Sequence, residues 1–181
     1  MRRAVDDAPD PELALDELVA RQPFPVHGLY QPATGPAMLG EAHRVNGQWA
    51  EITLAYGRPD ISSGPLVLLT TFAPGRGDAA DDPQTALRGV LERERVRRNP
   101  PPRALEPTSF STLRVLWGDA EFSAPFARRD HLWALQTVLA GQRVVAVGRG
   151  CAPQSLRLAR IDDLSPFLNG RKAALRRLRT R

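Results

Sequence analysis

Between residues 49 and 56 the chain alternates: Ala50, Ile52, Leu54 and Tyr56 fall on one side of an extended segment, Trp49, Glu51, Thr53 and Ala55 on the other. That period of two marks a half-buried strand. Asn46-Gly47 separates this run from Ala37–Val45, and the pair tolerates positive φ at both central positions of a type I′ turn, which predicts a β-hairpin. A second two-residue corner, Gly118-Asp119, joins Phe110–Trp117 to Ala120–Phe126. His131–Leu139 and Gln142–Val147 continue the series, and Val26–Tyr30 and Leu156–Ile161 are weaker strand candidates. Leu66–Phe72 and Val144–Val147 are apolar on both faces, the pattern of central strands covered on both sides.

Three segments carry helical signals. Asp10 is placed to cap a helix that begins at Pro11 and runs to about Arg21, where Gln22-Pro23-Phe24-Pro25 stops it. Asp82-Pro83 opens a second, over 83–98, ended by Asn99-Pro100-Pro101-Pro102. Ser165-Pro166 opens a third, over 165–179, with Asn169-Gly170 as an interruption. Residues 1–9 are expected to be disordered, 10–168 to form one α+β domain, and 169–181 to be a basic helix or tail. The predicted fold is a mainly antiparallel sheet of about seven strands in two hairpin-rich groups, with helices on both faces, an α/β/α sandwich. That outline resembles the layered arrangement of PsbP-like and Mog1-like domains, a resemblance that implies fold alone. Trp49, Leu54, Leu68, Phe72, Leu91, Val115, Trp117, Trp133, Val145 and Val147 are the expected core.

Charge changes the picture at one end of the chain. Of the 25 cations only Lys172 is a lysine, and Arg171, Lys172, Arg176, Arg177, Arg179 and Arg181 crowd into the last eleven residues without an acid. The remainder is close to neutral, so the formal net charge of +5 belongs to the tail. This cluster is the candidate polyanion site, although no aromatic interleaves it for base stacking. No apolar run approaches the roughly 18 residues of a membrane-spanning helix. Residues Met1–Asp7 turn acidic where a signal peptide needs an apolar stretch, and Cys151 is alone, which excludes an internal disulfide. A cytoplasmic address is expected.

Several strings imitate chemistry. Gly75-Arg76-Gly77-Asp78-Ala79-Ala80 matches a dinucleotide fingerprint. The helix signal arrives too late for a pyrophosphate to sit on a helix N-terminus, however, and Asp78, Asp81 and Asp82 would repel phosphate. Arg76-Gly77-Asp78 is an integrin-type tripeptide in a chain without a secretory signal. Cys151 follows Gly148-Arg149-Gly150, and Asp130-His131 lies upstream; a thiol, an imidazole and a carboxylate form a real catalytic set. Adjacent residues on a strand point to opposite faces, though, and a lone cysteine at a strand end is more often a small buried hydrophobe. His27, His43 and His131 lack metal-ligand spacing. The pairs Asp6-Asp7, Asp81-Asp82 and Asp162-Asp163 stand near helix starts, where carboxylates complement the macrodipole.

These readings predict a chain that is not an enzyme and takes no cofactor or metal. The expected function is a non-catalytic protein-interaction or regulatory domain, acting through exposed parts of the sheet or the Pro-rich loop 99–107. One alternative is nucleic-acid binding through the arginine-rich tail. Another is a small hydrolase or thiol enzyme using Cys151 and a histidine.

Overall fold

A computed structural model describes residues 11–30, 37–57, 64–76, 87–89, 108–151, 153 and 156–179. Helix α1 (Pro11–Ala20) leads into strands β1 (Val26–Leu29), β2 (Ala37–Val45), β3 (Gln48–Gly57) and β4 (Leu66–Phe72). Strands β5 (Ser109–Trp117), β6 (Ala120–Arg129), β7 (Leu132–Leu139), β8 (Gln142–Arg149) and β9 (Leu156–Ile161) follow, and helix α2 (Ser165–Arg179) closes the chain. Leu87–Gly89 is also helical.

The nine strands form one sheet in the order β1-β9-β5-β6-β7-β8-β4-β3-β2. Neighbours are antiparallel except β5 and β9, which run parallel. Two-residue turns make its hairpins. Asn46 and Gly47 sit at φ 52° and 74°, the type I′ geometry expected of them. Gly118 alone of its pair is at positive φ, which suits a II′ turn. Ala140-Gly141 repeats the I′ pattern at φ 48° and 76°, although a Cβ at that first position is strained. Replacing Ala140 with glycine is therefore expected to stabilise the protein by about 0.5–1 kcal/mol, less than the relieved strain because glycine also loosens the unfolded chain. Chemical denaturation would show it as a higher midpoint at unchanged slope.

The expected sandwich is overturned. The sheet curls strongly into a half-barrel, few residues are helical, and no helical layer covers each face. The PsbP-like and Mog1-like outline falls with it. The error has a physical source. Apolar residues on both faces of β4 and β8 were read as a demand for two helical layers, but a curled sheet buries its inner face against itself. On that face Ile52, Leu54 and Tyr56 of β3, Val67 and Leu69 of β4, Val144 and Ala146 of β8 and Leu135 of β7 meet in one core. Leu18 of α1 and Leu164 and Leu168 at the start of α2 complete it. The outer face keeps a small cluster in which Leu87 packs on Ala127, Leu132 and Ala134.

Among the residues expected in the core, Leu54, Val115, Trp133 and Val145 are buried; Trp49, Leu68, Phe72, Trp117 and Val147 are half-buried. Leu91 lies outside the described residues, as do most of the helix expected over 83–98, the loop 99–107 and residues 1–9. β4 is interior to the sheet as expected, but its outer side is only half covered at Leu68, Thr70 and Phe72. The description of the sheet as two antiparallel groups also fails. The two weakest strand candidates, β1 and β9, pair with each other, and β9 joins the rest through the parallel contact with β5.

Both edges of the sheet are partly covered by the chain itself. At the β1 edge the backbone N–H of His27 donates to Thr71 Oγ1 of β4 at 3.0 Å and that of Leu29 to the Tyr56 hydroxyl of β3 at 2.9 Å. Gln142 Nε2 donates to Pro25 O and Phe72 O, both at 3.1 Å. Donors that a free edge would leave open are thus satisfied across the barrel seam. Gly28 permits this approach, because a Cβ there would fall 2.5 Å from the Tyr56 hydroxyl oxygen. At the β2 edge α2 lies alongside: Gly170 faces Ala37 O too closely for any side chain, and Arg171 donates to the carbonyls of Leu39 and Gly40. Lys172 pairs with Asp16 of α1 at 3.0 Å, and Glu17 of α1 with Arg44 of β2 at 2.7 Å.

Candidate functional site

The candidate polyanion residues divide once they are placed. Arg171 and Lys172 are engaged in docking α2 onto β2 and α1. Arg176, Arg177 and Arg179 lie on the last turns of α2, which runs unbroken through Asn169-Gly170 rather than stopping there. Arg181 is outside the described residues. At the start of the helix Asp163 accepts from the Ser165 N–H at 2.8 Å, and that hydrogen bonding holds its carboxyl below the usual range. Asp162 instead binds Arg160 at 2.6 Å. Gly77–Ala80, and with them most of the dinucleotide-like string, lie outside the described residues.

Cys151 and His131 do share an opening. A cavity of about 170 Å³ beside the β6–β7 turn is lined by Arg128, His131, Trp133, Gly150, Cys151 and Pro153. The Cys151 thiol points at Leu66 O, 3.9 Å away, and the Trp133 Nε1–H donates to Cys151 O at 2.8 Å. Both contacts hold the segment after β8 in place. Among the described residues, those lining the cavity include no carboxylate, the third member that a thiol–imidazole–carboxylate set needs. No group of three or more His, Cys, Asp or Glu is arranged to hold a metal among the described residues.

His27 is inside the protein, 1 % exposed, edge-on to the Trp117 ring with centroids 5.8 Å apart. Burial, and secondarily the Arg160 guanidinium, depress its pKa below the ordinary value of 6.5, so it is neutral at physiological pH. Tyr56 is pushed the other way, to about 12, chiefly by burial, and its hydroxyl keeps the proton while accepting from Leu29.

The outer face carries a row that strand register and one side-chain contact assemble. His43 of β2 pairs with Glu51 of β3, Glu51 with Phe72 of β4, and Val138 of β7 with Arg143 of β8. The middle link is a guanidinium over an aromatic face: Arg143 stands 3.9 Å from the Phe72 ring centroid. Val138 is 64 % exposed, the most exposed large hydrophobic side chain among the described residues. His43 Nε2 lies 3.8 Å from Glu51 and 3.5 Å from Glu41. The row therefore runs from an acidic end at β2–β3 to an apolar end at β7.

Sequence reading could have found one link of it, since the Ala140-Gly141 turn sets Val138 opposite Arg143. The His43–Glu51 link lies in the Asn46-Gly47 hairpin but is displaced by a register shift, and the rest depends on pairing between β3, β4 and β8, which no local signal announces. Comparison with protein-family models, with curated proteins and with solved structures finds no match. Among the described residues no helix is long and apolar enough to cross a membrane.

Proposed function

We propose that this chain is a non-catalytic protein-interaction domain that docks its partner on the outer row His43–Glu51–Phe72–Arg143–Val138. One observation carries the reading. The inner face is filled by the core and both edges are partly occupied by the chain's own groups, whereas this row presents an aromatic ring, an arginine and an exposed aliphatic side chain together. Arginine and aromatic residues are enriched at the centres of protein interfaces, where desolvation strengthens each contact. Covered edges disfavour recognition by strand addition, which leaves a face as the recognition element.

A photo-crosslinking residue at Val138 tests this in the native host, with and without nuclease. The expected result is a discrete crosslinked partner that survives nuclease and is lost when Phe72 and Arg143 are both alanine. No crosslink at Val138, with partners captured through other surfaces, would defeat the proposal. Partners that vanish on nuclease treatment would favour the polyanion alternative, carried by Arg176, Arg177, Arg179 and Arg181.

A further inference from the structure

We propose that the seam between β1 and β4 is an acid-labile latch: protonation of the His27 ring releases β1 from β4 and opens the half-barrel along that edge while the rest of the sheet stays folded. The geometry places a titratable ring on one of the residues that make the closure. The His27 backbone N–H makes the bond to Thr71 Oγ1, and its ring is buried beneath Trp117. Ring atom Nδ1 is buried and meets no hydrogen-bond partner among the described residues. An imidazolium would carry a proton on Nδ1, creating a buried, unsatisfied, charged donor.

The neighbours worsen that charge rather than compensate it. From β9 the facing charged group is Arg160, whose own counter-ion is Asp162. β5 supplies the Trp117 ring against it, and the seam along the β1 backbone is made by Thr71 of β4 and Gln142 of β8, all uncharged. From β3, Tyr56 stays protonated up to about 12. No ion pair joins a carboxylate to the ring among the described residues.

The sign follows from linkage. The folded-state pKa lies below the ordinary value of 6.5, so the open state binds the proton more tightly. The latch has its full strength above that value and weakens as pH falls through it, until the closed form also protonates. For one proton the opening equilibrium rises up to about tenfold per pH unit. Opening breaks the bonds at His27, Leu29 and Gln142 and leaves the β1–β9 ladder intact, so it needs less than global unfolding.

Amide hydrogen exchange of the full chain, between pH 7.5 and 5.5 and corrected for intrinsic rates, tests the latch. Protection at the His27 and Leu29 amides is expected to fall by up to about tenfold per pH unit below 6.5, with the amides of Leu54 and Ala146 unchanged. His27→Phe, which keeps a ring against Trp117, should remove the pH dependence, and His27→Gln serves if that variant does not fold. Flat protection in the wild type, an equal slope in both variants, or a parallel loss at Leu54 and Ala146 would each overturn the proposal. So would an NMR titration placing the His27 ring at or above the ordinary imidazole value.

Discussion

Replacing Gly148 with alanine is expected to destabilise the protein by about 3 kcal/mol, the upper end of the usual cost of overpacking a core. Gly148 of β8 stands opposite Trp133 of β7, and a Cβ there would lie inside the van der Waals envelope of the indole. The ring cannot retreat easily. It is 2 % exposed, its Nε1–H is bonded to Cys151 O, and Phe126 packs at 6.2 Å between centroids. At roughly 2–4 °C per kcal/mol for a chain of this size, the melting temperature should drop by about 6–12 °C. Introducing Trp133→Leu alongside Gly148→Ala should recover part of the loss, because the smaller side chain vacates the contested space. Thermal melts of the two single variants and the double variant measure this coupling. Additive losses would show that the clash is not the cause.

That pair shows where legibility stops. The hairpins were readable because Asn46-Gly47 and Gly118-Asp119 must turn in a particular way, and the turn then sets which residues oppose each other. Gly148, just past the expected strand Gln142–Val147, looked like part of its terminus before Gly150 and Cys151, whereas β8 runs on to Arg149. Its reason for being glycine lies on another strand. The curl of the sheet was hidden for a related cause. Thr71 and Tyr56 looked like ordinary strand residues, yet their hydroxyls close the seam by accepting from β1, whose pairing with β9 joins opposite ends of the chain. Two register shifts between β2 and β3, one with Gly40 extra on β2 and one with Ala50 extra on β3, also disturb the alternation counted from the turn.

The candidate chemistry was legible unevenly. Cys151 and His131 line one cavity, and residue order could show neither that nor that no carboxylate lines it among the described residues. The tail was read as one block of charge. Packing separates it, because Gly170 lets α2 press against the β2 edge and so brings Arg171 to the Leu39 and Gly40 carbonyls. Residue type alone does not distinguish an arginine that binds its own backbone from one available to a ligand.

The separation makes the tail the second place for a large effect. A chain ending at Gly170 is expected to lose at least about 3 kcal/mol, because hydrogen bonds from a charged donor contribute roughly 1.5–3 kcal/mol each and the β2 edge would be uncovered as well. Arg171→Ala alone should cost about 2 kcal/mol by the same reasoning. Changing Arg176, Arg177, Arg179 and Arg181 to glutamine keeps helix propensity and the Leu175 and Leu178 positions. That variant should stay within about 1 kcal/mol of the wild type, since the roughly 0.3–1 kcal/mol that each cation adds near a helix C-terminus is screened by salt and offset by repulsion among the crowded cations. The same variant bears on the polyanion alternative. Under the protein-interaction reading the wild type binds generic DNA only weakly, with a slope of log K against log salt of about −0.9 for each phosphate neutralised. Submicromolar DNA affinity at physiological salt, lost in the glutamine variant while its melting temperature holds, would reverse the ranking and make the end of α2 the functional surface.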